Sequence, residues 1–410
     1  MFLRLLWRSR RSADYRKRWA ERLGFCPHQV EKSIWIHAAS VGETLAAIPL
    51  VKALKSHYPS IPIVMTNMTI TGAARAKAAF GDTVLQSYVP YDLPPAIQNF
   101  IRCVNPLVAL IMETELWPNL FYVCQKKSIP VIVANARLSE KSAAGYQRIK
   151  PLMQGMMLAT QKMAVQTQVE AERFMAFGLP AERVVVTGNI KFDIEVPQDL
   201  PKKSAALREH IGQDRLVWVA ASTHATEEEI VLAAHRRILA KYPDALLILV
   251  PRHPERFDAV FQLISQQGFS VVRRRDSASN INAVEVYLAD TMGEMLLMYA
   301  VCDIAFVAGS FVPVGGHNML EAAVQGKPVI TGPQLFNFAE ISASLIAAKG
   351  MMTVHNESEL AQEILHLFDD VDYRKTGGEN AYRFVEANRG ALAKQLQVVQ
   401  AIVDARIENR

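Results

Sequence analysis

The stretch Gly309–Thr331, GSFVPVGGHNMLEAAVQGKPVIT, carries the pattern on which the fold reading turns. The apolar run 303–308 ahead of it reads as a strand, and the loop that follows holds Gly309, Gly315 and Gly316. Asn318 is expected to open a short apolar-faced helix, Gly326 to close it, and Pro328-Val329-Ile330 to start the next strand. Strand, glycine loop, helix and strand is how α/β proteins aim a helix N-terminus at an anion. Glycines let backbone come close, the first helical N–H groups are unpaired, and the macrodipole favours negative charge there. Glu321, three residues after Asn318, is no phosphate ligand, but it suits neutral hydroxyls such as those of a ribose. The same Asn318-x-x-Glu321 spacing is also a capping-box variant, in which both side chains only satisfy helix N–H groups. The stretch alone does not choose between the two.

Outward from it, the chain alternates strands and helices. Strands are expected at 33–38, 61–65, 84–89, 107–112, 129–134, 162–166 and 184–187, with amphipathic helices between them. A second series begins with strands at 216–220, 245–250, 284–288 and 304–307. Repeated βα units imply parallel sheets, so the fold class is α/β with two Rossmann-like domains. Ligands at the carboxyl ends of their strands imply a cleft between the halves. The expected division is an N-terminal domain over 1–195, a linker over 196–212 with Pro197, Pro201 and little strand propensity, and a C-terminal domain over 213–410.

Composition narrows the function classes. Half of the 410 residues are hydrophobic and 21% are charged, ordinary for a soluble α/β protein. Cys26, Cys103, Cys124 and Cys302 lack metal or redox spacing, and the ten histidines form no HxxH or HExxH pair, so no metal site is expected. The net charge of +5 is unevenly placed: residues 1–22 hold eight basic side chains against Asp14 and Glu21. The remainder is near neutral, which argues against a nucleic-acid-binding body. No apolar run approaches the ~18 residues that a membrane-spanning helix needs. Met1–Trp7 mixes Phe2, Leu3, Leu5, Leu6 and Trp7 with Arg4 ahead of the basic cluster, a pattern that suits an anionic membrane surface and equally a solvated N-terminal helix. No secretory signal is expected, because neither a sizeable apolar core nor a small-residue cleavage site follows.

Several carboxylates stand where strands give way to loops or helices. In His37-Ala38-Ala39-Ser40-Val41-Gly42-Glu43, Glu43 falls in a first helical turn, as a general base or as the second half of a Ser40-x-x-Glu43 capping box. Glu113 and Glu115 directly follow a strand, a place for ligands and for caps alike. Arg252, in PRHPER after LLILV, is placed to meet an anion or to be a solvated turn charge. Gly293, in DTMGE, allows backbone to approach a base or ribose.

HAASVGE, METELWPN, NARLS, TGNIKFD, STH, LVPRHPERF, DTMGE and GGHNMLEAA occur in this order in one chain. Together they resemble the 3-deoxy-D-manno-oct-2-ulosonic acid (Kdo) transferases of Gram-negative lipid A assembly, over nearly the whole chain. The resemblance implies a GT-B fold and metal-independent, inverting transfer of Kdo from CMP-Kdo to the lipid A precursor lipid IVA, with no cofactor. It implies Glu43 as proton acceptor and Glu113 with Lys191 as transition-state-stabilising residues. It also implies CMP-binding segments at Pro251 and Arg252, at Met292, Gly293 and Glu294, and at Asn318, Met319, Leu320 and Glu321. The expected partners are CMP-Kdo, lipid IVA and the inner-membrane surface, on its cytoplasmic face, with no nucleic acid. Members of the family usually carry a longer N-terminal apolar anchor than Met1-Phe2-Leu3-Arg4 begins here. Two other readings share the fold: a nucleotide-sugar epimerase, and a non-catalytic membrane-associated protein whose cleft has lost its charged residues. The basic apolar start speaks against the first, and Glu43, Glu113, Arg252 and Glu321 against the second.

Overall fold

The computed structural model describes residues 18–276 and 281–408, which form two compact units. Unit 1 comprises 1–193 with 389–410, and unit 2 comprises 194–388. The Met1–Trp7 segment, expected on sequence grounds at a membrane surface, lies outside the described residues. Two arginines of the basic cluster lie inside them, and both are engaged. Arg22 is buried, donates to the Met68 carbonyl and stands over the Tyr88 ring, while Arg18 pairs with Glu21. No described helix is long and apolar enough to cross a membrane.

Unit 1 is built on β1 (Ser33–His37), β2 (Ile63–Asn67), β3 (Leu85–Tyr88), β4 (Pro106–Met112), β5 (Val131–Ala136), β6 (Thr160–Val165) and β7 (Val184–Val186). They form one parallel sheet in the order β3-β2-β1-β4-β5-β6-β7. β1, β2, β4 and β5 are buried along their whole length, because helices cover both faces; their apolar runs are continuous rather than alternating. Unit 2 repeats the plan with β8 (Val217–Thr223), β9 (Leu246–Pro251), β10 (Val271–Arg273), β11 (Val286–Leu288), β12 (Ile304–Val307), β13 (Val329–Thr331) and β14 (Met351–Thr353). Its order is β10-β11-β9-β8-β12-β13-β14, again all parallel. The order reverses between β1 and β4 in unit 1 and between β8 and β12 in unit 2. Such switch points leave a crevice beyond the strand carboxyl ends.

Besides adding β10 and β14, which the sequence reading did not expect, the structure departs from that expectation in three places. The presumed linker 196–212 contains the helix Leu200–Ile211, started by Pro201 and ended by Gly212 at φ +108°. Leu200, Leu207 and Ile211 bury one face, and Arg208 donates to the Val301 carbonyl, so the segment belongs to unit 2. The chain end does not belong to the C-terminal unit. The helix Ala391–Glu408 packs Val399 and Val403 into the unit 1 core, and Asp193 accepts from the N–H groups of Gly390 (2.7 Å) and Leu392 (2.6 Å). A carboxylate taking two unpaired N–H groups at a helix start is a strong cap. Third, the helix expected from Asn318 to Gly326 is a single turn, Leu320–Ala323. Pro328 lacks an N–H to continue it, and Gly326 leaves the helical region at φ +65°.

Candidate active site

In unit 1 the site residues gather at the switch point. Glu43 lies in the first turn of the helix Val41–His57, capped by Ser40. Its Oε2 accepts from the Ala39 N–H (2.8 Å) and its Oε1 from the Ser40 hydroxyl (2.7 Å), while Ser40 Oγ accepts from the Glu43 N–H, so the pair forms a capping box shifted one residue back, onto Ala39. Burial raises the Glu43 carboxyl to about 7, and the charges of Glu115 and Glu113 push the same way against the Ser40 and Ala39 hydrogen bonds. A carboxyl poised near neutrality is matched to general-base work. Capping thus orients the group without consuming its basicity.

Glu113 follows β4 directly, at φ +53°, a left-handed conformation that costs a non-glycine residue about 1 kcal/mol or more. It is held there by its N–H on the Ala134 carbonyl (2.8 Å) and by two cations. Arg137 Nε donates to Oε2 at 3.0 Å, and Lys191 Nζ stands 3.4 Å from Oε1. Glu115 accepts from Trp117 Nε1 (2.8 Å) and is raised by burial. His37 is fully buried with Nδ1 against Thr66, and burial lowers it to about 4, so it is neutral. Glu43, Glu113 and Lys191 therefore share one polar group with Glu115 and Arg137.

In unit 2 the glycine loop after β12 meets the loops after β8 and β9. His224 and His317 stack with their rings at 6°, and their Nε2 atoms are 2.8 Å apart. His253 meets His224 edge-on. Burial lowers His317 to about 3, and the Arg252 guanidinium adds to that shift. Arg252 also acts on Glu321, opposing the rise that burial imposes on that carboxyl. Asn318 donates to Glu321 Oε1 (3.1 Å) and accepts from the Leu320 N–H (3.2 Å), so Asn318 satisfies a helix N–H while Glu321 meets only the Asn318 amide, and the capping variant is half formed. Met319 and Leu320 are fully buried, and the Leu320 N–H is taken by Asn318. Pro251 closes β9 and is buried.

The Met292–Glu294 segment is held by its own set of contacts. Glu294 pairs with Arg274 at 2.9 Å and 3.1 Å and lines a cavity of about 330 Å³ with Lys203, Arg273, Arg274 and Tyr287. Gly293 stands at φ +83° with open space where a Cβ would be, and Met292 is exposed. Among the described residues, no group of three or more His, Cys, Asp or Glu is arranged to hold a metal ion.

Sequence reasoning missed Glu227, in the first turn of the helix Glu227–Leu239. Its fully buried carboxylate takes the N–H groups of Gly309, Ser310 and Phe311. The N–H groups at the start of the glycine loop are therefore occupied from within. The run Thr226-Glu227-Glu228-Glu229 after STH looks like a solvated acidic helix start; the apolar strand ahead of it was the available signal.

Known proteins agree with this layout. The family model described as 3-deoxy-D-manno-octulosonic-acid transferase (kdotransferase) matches residues 17–194, and that for glycosyl transferases group 1 matches residues 214–384. A 3-deoxy-D-manno-octulosonic acid transferase of Haemophilus influenzae is 43% identical, covering 97% of this chain and 94% of that protein. One of Bordetella pertussis is 32% identical, covering 91% and 88%. The UDP-GlcNAc 2-epimerase of Neisseria meningitidis, solved with UDP-GlcNAc, matches with a TM-score of 0.57 over 91% of this chain and 99% of its own. At 13% identity that likeness shows the fold alone. With identity running through both units and both parallel sheets accounted for, the chain belongs to the 3-deoxy-D-manno-octulosonic acid transferases and is a Kdo glycosyltransferase of the two-domain GT-B fold.

Proposed function

We propose that this enzyme transfers Kdo from CMP-Kdo to lipid IVA with inversion, using Glu43 as the general base. The observation that carries the reading is the Glu43 carboxyl: buried, oriented by its own helix start, and raised to about 7 beside Glu113 and Glu115. Glu43 takes the proton of the acceptor hydroxyl as its oxygen attacks the anomeric carbon. The bond from that carbon to the CMP phosphate oxygen breaks on the opposite face, and its electron pair leaves with CMP. Glu113, paired with Arg137 and Lys191, favours the developing positive charge on the sugar ring. Lys191 offers a cation to the Kdo carboxylate.

In unit 2, Arg252 meets the CMP phosphate, Glu321 the ribose hydroxyls, and the Met292–Glu294 backbone the base, with Pro251, Asn318, Met319 and Leu320 shaping the pocket. Arg252 then serves the leaving phosphate where other transferases use a metal. A lipid acceptor, together with the basic, apolar Met1–Trp7 segment, supports work at the cytoplasmic face of the inner membrane. The test is incubation with CMP-Kdo, generated in situ, and lipid IVA, with and without EDTA. Expected are a lipid product heavier by whole Kdo units, stoichiometric CMP, an inverted anomeric centre by NMR and no loss with chelator. CMP release without a sugar-lipid product refutes the proposal.

A further inference from the structure

We infer that Glu227 is a positioning residue that holds the glycine loop after β12, and through His224 the imidazole of His317, in the form that receives the sugar-nucleotide donor. The inference rests on the reading above that this loop faces the donor. Both Glu227 oxygens are doubly engaged: Oε1 accepts from the N–H groups of Ser310 (3.0 Å) and Phe311 (3.0 Å), and Oε2 from those of Gly309 (2.8 Å) and His224 (3.0 Å). A helix cap satisfies its own first turn; three of these four donors lie 82 to 84 residues away on another strand's loop. The carboxylate thus ties together the loops after β8 and β12, the two strands on either side of the switch point.

The turn that presents Glu227 is strained. Ser222 (φ +61°) and Thr226 (φ +74°) both adopt the left-handed region that non-glycine side chains disfavour. Such backbone persists where the surroundings over-determine it, and the four N–H bonds supply that. Downstream, the His224 N–H on Glu227 fixes the ring that stacks on His317 and bonds it Nε2 to Nε2. Gly309, held by Glu227, lies under the His317 ring; a Cβ there would stand 2.6 Å from His317 Cδ2. One buried anion therefore sets the loop backbone and the place of the imidazole beside Arg252 and Asn318.

The full-length enzyme carrying Glu227→Gln tests this, because glutamine keeps the shape but turns one oxygen into an NH2 facing two N–H donors. Expected is a rise of about tenfold or more in donor KM and in the inhibition constant of CMP, from two lost charge-assisted bonds. Acceptor KM stays within about twofold, and Glu227→Asp, which keeps the charge, falls between. A lower melting temperature with donor KM and CMP inhibition unchanged overturns the inference, because it leaves Glu227 a purely structural group. Arg252→Ala, run alongside, separates the two readings. If it weakens donor binding and Glu227→Gln does not, the positioning role fails. If Arg252→Ala leaves donor binding unchanged, the donor reading of the loop fails first and takes the inference with it. Should Glu227→Gln not fold, His224→Ala is read in its place, since it cuts the link to His317 and keeps the four N–H bonds. A raised donor KM then supports the inference and an unchanged one overturns it.

Discussion

Glu43→Gln separates the two duties of one carboxylate, orienting a helix and accepting a proton. The side chain is almost fully buried, and burial lifts its carboxyl from an ordinary 4.5 to about 7. A raised acid binds its proton more tightly in the folded protein than in the unfolded one. The contribution of this carboxyl to stability is therefore greatest below about pH 4.5, falls as pH rises towards about 7, and stays low above that. At about 1.4 kcal/mol per unit, the ionised carboxylate costs the native state about 3 kcal/mol at pH 8. Glutamine keeps the shape, accepts from the Ala39 N–H, donates to the Ser40 hydroxyl and never ionises. Hydrogen exchange read over peptides of β1 and β4 confines the measurement to unit 1. The variant minus wild-type difference in opening free energy grows by about 2.5 kcal/mol from pH 5 to pH 8 in the variant's favour, while transfer falls by a factor of about 10³ or more. Wild-type kcat/KM rises with pH through an apparent pKa near that of Glu43, and the residual activity of the variant does not. A variant with near-normal turnover, or a stability difference flat across that range, refutes the assignment of the base.

Three further outcomes are expected. Lys191→Met leaves Glu113 paired with Arg137 alone and lowers kcat by about 10²-fold with CMP inhibition unchanged, read by steady-state kinetics. Gly309→Ala places a Cβ against the His317 ring at φ +69° and destabilises unit 2 by about 1–3 kcal/mol, seen as a lower melting temperature. His235 is fully buried between Trp218 Nε1 (3.1 Å) and the Glu285 carbonyl (2.9 Å), and burial lowers it to about 3. Its contribution is full above its ordinary pKa of 6.5 and is lost as pH falls from there towards 3, because the unfolded chain takes the proton first. His235→Gln flattens that part of the acid-unfolding curve of unit 2; an unchanged curve excludes His235 as its origin.

Much of this protein was legible in its sequence because the relevant signals are local. Buried parallel strands are short apolar runs, and some helix starts announce themselves within three or four residues, as Ser40 with Glu43 and Thr167 with Glu170 do. That local grammar yields two βα series, and the ordered motifs yield the family. It also places Glu43, Glu113 and Arg252 at strand ends, where a parallel sheet presents its ligands. It does not say what those residues meet. Glu113 gains its two cations from residues 24 and 78 positions onward, Asp193 caps a helix nearly two hundred residues away, and Glu227 reads as a solvated helix start until the loop after β12 folds onto it.

The difference is one of range. Helix and strand formation are decided by neighbours along the chain, so composition and spacing carry them. The energy of a buried carboxylate is decided by which N–H groups and cations replace its water. Those partners come from other strands, and only the tertiary structure decided that Glu43 would be left basic, Glu113 cationically braced, and the glycine loop held from beneath by Glu227.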